Sequence, residues 1–147
     1  MKKIAFLLVL VLLGFAIHFY YVFRPIEGID VSEMAISLQS PIEKYEYHRH
    51  LRLLLSDQKP DSLRYLINAR CDGEGAYDHG RTLVQVLIKL GDPTFSEIIS
   101  KLTKTESDTL LTFLSAGHEY GGFSEFPDWE EFERRFPLTF RLLSEKI

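Results

Sequence analysis

The run from Ile4 to Phe23 constrains this chain more than any other part of it. About twenty residues carry no formal charge at neutral pH, and His18 is the one polar interruption. As a helix, such a run is about long enough to cross roughly 30 Å of hydrocarbon. Tyr20 and Tyr21 stand near its far end, where amphipathic rings favour the membrane interface, and Arg24-Pro25 closes it. Lys2 and Lys3 favour a cytoplasmic N-terminus, with Arg24 in weak opposition. Residues 1–24 are therefore read as an uncleaved single-pass anchor, with 25–147 on the extracytoplasmic side, the periplasm if the source is bacterial.

The competing reading is a cleaved signal peptide. Lys2 and Lys3 form its basic region, Ile4 to Leu13 its apolar region, and Gly14-Phe15-Ala16 supplies small residues for cleavage near Ala16. Both readings deliver the rest of the chain across the membrane. No cysteine lies near residue 20, so a bacterial lipoprotein anchor has no support.

About 120 residues remain, enough for one domain with one core. With Lys2, Lys3 and Arg24 taken from the 17 basic residues, 14 stand against 21 acidic ones, a net charge of about −7. That surface repels phosphate and argues against nucleic acid, while it suits a basic protein partner. Cys71 is the only cysteine, so no intrachain disulfide forms and zinc sites built on paired cysteines are excluded.

Helical stripes fill the remainder. Asp30 with Glu33 suggests a short helix over 31–38 with Val31, Met34, Ala35 and Leu38 on one face. Ser40-Pro41-Ile42-Glu43 has the form of a capping box and predicts a helix to about Leu55 that buries Tyr47, Leu51, Leu54 and Leu55. Pro60 opens a pattern with Leu63, Leu66 and Ile67, and Asp72-Gly73-Glu74-Gly75 reads as a loop. Tyr77, Gly80, Leu83, Val84, Leu87, Ile88 and Leu90 define the central helix, stopped by Gly91.

Asp92-Pro93 restarts the chain as cap and first residue, with Phe95, Ile98, Ile99 and Leu102 buried. A further start near Thr105–Asp108 leads to Leu110, Leu111 and Leu114 and ends at Gly117. Pro127 and Pro137 precede two short terminal helices. The fold class is all-α: the N-terminal apolar helix, then one domain of about six to seven short helices arranged as hairpins. Pro60, Pro93 and Pro127 lie 33 and 34 residues apart, which would suit a solenoid, but the residues between them do not repeat in kind.

Two constellations stand out chemically. Asp72, Glu74, Tyr77, Asp78 and His79 gather carboxylates, a phenol and an imidazole at a helix start, where Asp78 or Tyr77 can orient His79 as an acid or base. Capping and turn formation explain the same residues more simply. The cluster matches neither a calcium loop nor a dinucleotide loop, because Ala76, Tyr77 and Asp78 stand where ligands or glycines are required. His118-Glu119 lacks the second histidine of zinc peptidases, position 122 being Gly. His48 and His50 read as part of a solvated helix face, and Cys71 as a small core residue. No metal or cofactor is implied.

The second constellation mixes aromatic anchors with acids: Glu119, Tyr120, Phe123, Glu125, Phe126, Asp128, Trp129, Glu130 and Glu133. Buried aromatics dominate interface energetics and charges select partners, so this stretch is the better candidate for partner binding, although the same rings can serve the core. The leading expectation is a non-catalytic, membrane-tethered or exported protein-binding domain of the inhibitor or immunity type. A small hydrolase-like enzyme centred on Asp78 and His79, and an accessory subunit of a membrane complex, are the alternatives.

Overall fold

The computed structural model describes residues 2–146, which contain eight helices and, apart from an isolated Ile26–Ile29 bridge, no strand pairing. Met1 and Ile147 lie outside the described residues, as do the side chains of Lys2 and Lys3 on which the orientation argument rests. The helices are α1 (Lys2–Phe23), α2 (Pro41–Asp57), α3 (Pro60–Ile67), α4 (Gly73–Leu90), α5 (Asp92–Ile99), α6 (Lys104–Tyr120), α7 (Trp129–Arg135) and α8 (Pro137–Lys146).

Capping chemistry sets several starts. At α2 the Ser40 hydroxyl accepts the Glu43 N–H at 3.3 Å while Glu43 accepts the Ser40 N–H at 2.7 Å, the expected capping box. Thr103 and Glu106 repeat it at α6 with the same two distances, so the cap lies two residues before Thr105 and the helix begins at Lys104. Pro60 is the first residue of α3 and Pro93 the second of α5, but Pro127 lies outside α7, which Asp128 caps through the Glu131 N–H at 2.7 Å. Asp92 does not cap α5. It is the first residue of that helix, and its carboxylate accepts the Leu138 and Thr139 N–H groups, both at 2.8 Å, capping α8 from a distant part of the chain.

Three boundaries differ from expectation, each for a packing reason. Residues 33–39 form successive turns closed by hydrogen bonds such as Ala35 N–H to Ser32 O, and they bury Ala35, Ile36 and Gln39 while Met34 and Leu38 stay exposed. Gly73 and Gly75 begin α4 instead of forming a loop, and Gly75 serves close packing, since a Cβ there would stand 2.5 Å from the Met34 carbonyl oxygen. Gly117 lies within α6. There α4 and α6 cross so closely that a Cβ at Gly117 would sit 2.1 Å from the Gly80 carbonyl carbon. Glycine breaks helices in isolation, but it also permits backbones to touch, and here the second property governs.

The α4–α6 pair is antiparallel, with Gly80 opposite Gly117 and Tyr77 opposite Tyr120. α2, α4 and α6 touch in series, as do α3, α5 and α8, and further contacts of α3 and α8 with α6 join the two rows over one core. Tyr47, Leu51, Leu54, Leu63, Leu66, Leu83, Leu87, Phe95, Leu110, Leu114 and Phe132 are fully buried in it. On α4 the buried stripe runs through Gly75, His79, Thr82, Leu83 and Val86, which turns Tyr77 and Ile88 to the surface.

α1 is exposed along most of its length but docks at its end. His18 Nε2 and the Tyr45 hydroxyl are 2.5 Å apart, Phe23 packs on Tyr45 and His48, and Val22 is buried. Arg52 donates to the Val22 carbonyl at 2.9 Å and to the Arg24 carbonyl, satisfying the unpaired end of α1 with a cation suited to its dipole. His48 and His50 are accordingly no solvated face. His48 packs on Phe23, and His50 stacks on Tyr65 with ring centroids 4.2 Å apart.

Candidate functional site

The residues grouped around His79 do not assemble into a site. Asp78 and His79 are neighbours on α4, about 100° apart around its axis, so His79 points into the core while Asp78 is half-buried at the side. The imidazole is fully buried against Phe113, with Nδ1 2.8 Å from the Tyr47 hydroxyl. Nε2 makes no hydrogen bond of normal geometry. Placing the proton on Nε2 leaves Nδ1 to accept the Tyr47 O–H.

Burial pulls the His79 pKa down to about 4 and pushes the Tyr47 phenol well above its ordinary value. The pair is thus neutral and held in place. Asp72 and Glu74 are exposed at the start of α4, and the Asp72 side chain makes no capping bond. Tyr77 lies across from Tyr120, ring centroids 4.3 Å apart. Tyr47, the partner that defines the environment of His79, lies 32 residues away, and only its place on the apolar stripe of α2 marked it for burial.

Cys71 is half-buried outside the central core, and burial together with the Asp72 carboxylate raises its thiol pKa, which disfavours the nucleophilic thiolate. Among the described residues no three His, Cys, Asp or Glu side chains converge as a metal set.

The acidic-aromatic stretch does form a concave surface. A cleft of about 650 Å³ opens between the C-terminal end of α6 and the segment leading into α7, lined by Ser115, His118, Glu119, Gly122, Phe123, Ser124, Phe126, Pro127, Asp128 and Trp129. His118 builds it: Nε2 hydrogen-bonds the Phe126 carbonyl at 2.9 Å and the ring stacks on Phe132 with centroids 5.0 Å apart, fastening the loop to α6. Trp129 is half-buried, its indole edged by His118 and packed on Phe132 and Phe140, and its Nε1–H donates to Glu133 at 2.7 Å.

Of the nine expected binding residues, Glu119, Phe123, Phe126, Asp128 and Trp129 line this cleft. Phe126 is mostly a core residue that shows only an edge. Glu125 faces a neighbouring hollow with Glu131 and Arg135, Glu133 is engaged by the indole, and Tyr120 projects on the far side of Glu119, whose carboxylate raises its phenol pKa. Glu130 is exposed beside Trp129. Ser115, His118, Ser124 and Pro127 were not legible as lining residues, because a loop brings them together.

Compared with family models, curated proteins and solved structures, the chain matches none.

Proposed function

We propose that this protein is a non-catalytic binding domain held to a membrane by α1, and that the cleft between α6 and α7 receives a protein partner of the kind an inhibitor or immunity protein blocks. The observation that carries the reading is the cleft itself. Phe123, Pro127 and Trp129 offer half-exposed apolar surface between the carboxylates of Glu119 and Asp128, and this suits an apolar residue flanked by Lys or Arg on the partner. His79 is the weaker candidate because a substrate has no path to it.

α1 supports the tether, being long and apolar enough to cross a membrane. In this reading it stays uncleaved and the domain lies on the extracytoplasmic side. Photo-crosslinking from Ser124, in the cleft, should give a protein adduct in cells that make the full chain, whereas a crosslinker at Glu145 on α8 should not. Replacing Trp129 and Glu130 by Ala should abolish that adduct in a protein that circular dichroism shows to be folded. Equal adducts from both positions, or none, would exclude the cleft as the binding surface.

A further inference from the structure

The way α1 docks fixes where the domain sits. α1 and α2 run in the same direction: His18 and Phe19 meet Tyr45, Phe23 meets His48, and Val22 and Arg24 meet Arg52. The part of α1 ahead of these contacts, Ile4 to Ile17, is about 21 Å long, short of the roughly 30 Å of hydrocarbon. If α1 spans, as the tethered reading requires, residues 18–23 must also lie within the lipid layer. Those are the residues that hold α2, so the N-terminal end of α2 is drawn down to the bilayer.

The same end of the domain carries most of its exposed apolar side chains. Tyr47 on α2 meets His79 on α4, each the seventh residue of its helix, and Met34 lies against Gly75, so α2 and α4 begin side by side. The antiparallel α6 ends there. Ile42 is 76% exposed, Met34 46%, Leu38 43%, Tyr77 41% and Tyr120 59%, whereas among the described residues outside α1 the opposite end shows Ile88 and Leu138, each 36%. Aliphatic side chains beside a tyrosine pair suit the boundary between acyl chains and headgroups. The nearby charges are partly engaged within the protein, Glu33 with Lys44 at 3.5 Å, Glu46 with Arg49 at 2.8 Å and Glu43 in its capping box, while the exposed Asp72, Glu74 and Glu119 disfavour an anionic lipid surface.

We infer that the end of the domain formed by Met34, Leu38, Ile42, Tyr77 and Tyr120 is seated in the interface of a zwitterionic bilayer, so that α1 and the domain enter the membrane as one unit. The inference rests on the tethered reading, and its test separates the two. The full chain, with Cys71→Ser, is placed in phosphatidylcholine vesicles with single nitroxide labels at Leu38→Cys, Ile42→Cys, Val9→Cys or Leu138→Cys. Collisions with oxygen, which concentrates in lipid, are compared with collisions with a water-soluble nickel chelate. Labels at 38 and 42 should show an oxygen-to-nickel ratio several-fold above that at 138, approaching that at 9. Lipid-like values at 9 with water-like values at 38 and 42 overturn the seating and leave the anchor standing; water-like values at 9 overturn both.

Discussion

His79 is shielded from water, so its native pKa of about 4 lies below the ordinary histidine value of 6.5. A depressed native pKa means that the unfolded chain binds the extra proton more readily between those values. Stability from the neutral histidine is therefore present above about pH 6.5 and is lost as the pH falls toward 4, on the order of 3 kcal/mol in all. Urea unfolding at pH 7, 6 and 5 should show this slope. It should flatten in a Tyr47→Phe/His79→Leu variant, which removes both polar partners together. His79→Ala should lower stability by about 2 to 4 kcal/mol through a cavity and an orphaned phenol, yet keep the cleft's crosslink, because no part of the ring reaches it. Cys71, with its thiol pKa raised, should react slowly with thiol reagents at neutral pH until the chain unfolds.

Between elements, two contacts rest on single residues. Gly117→Ala places a methyl group about 2 Å from the backbone of Gly80, where only helix separation can relieve it. The midpoint of thermal unfolding should fall by roughly 10 °C or more, whereas Gly14→Ala, with nothing within 4 Å, should leave it unchanged. Asp92→Ala leaves the first N–H groups of α8 without their acceptor and should cost about 1 to 2 kcal/mol, measured by urea unfolding. Sequence patterning could show that Asp92 is a capping residue, because Asp before Pro and an apolar stripe is a local signal. Which helix it caps depends on α8 passing nearby 46 residues later.

At the scale of the whole molecule, the join between α1 and the domain hangs on Arg52 and the rings around Tyr45. Arg52→Ala should raise amide hydrogen exchange in residues 20–30 while protection in α4 and α6 is kept, since the core does not use that guanidinium. The apolar N-terminal helix, the all-α class, the capping box at Ser40 and most buried positions of α2, α3 and α5 were determined by the sequence alone. They follow from period and capping, which act over three or four residues. Tertiary structure decided the rest: that Gly75 and Gly117 are contact points and not breaks, that residues 33–39 turn without forming a helix, that His79 answers to Tyr47, and that Ser115 and Pro127 line one cleft. Each depends on which backbone arrives from far along the chain, and a local pattern carries no record of that arrival.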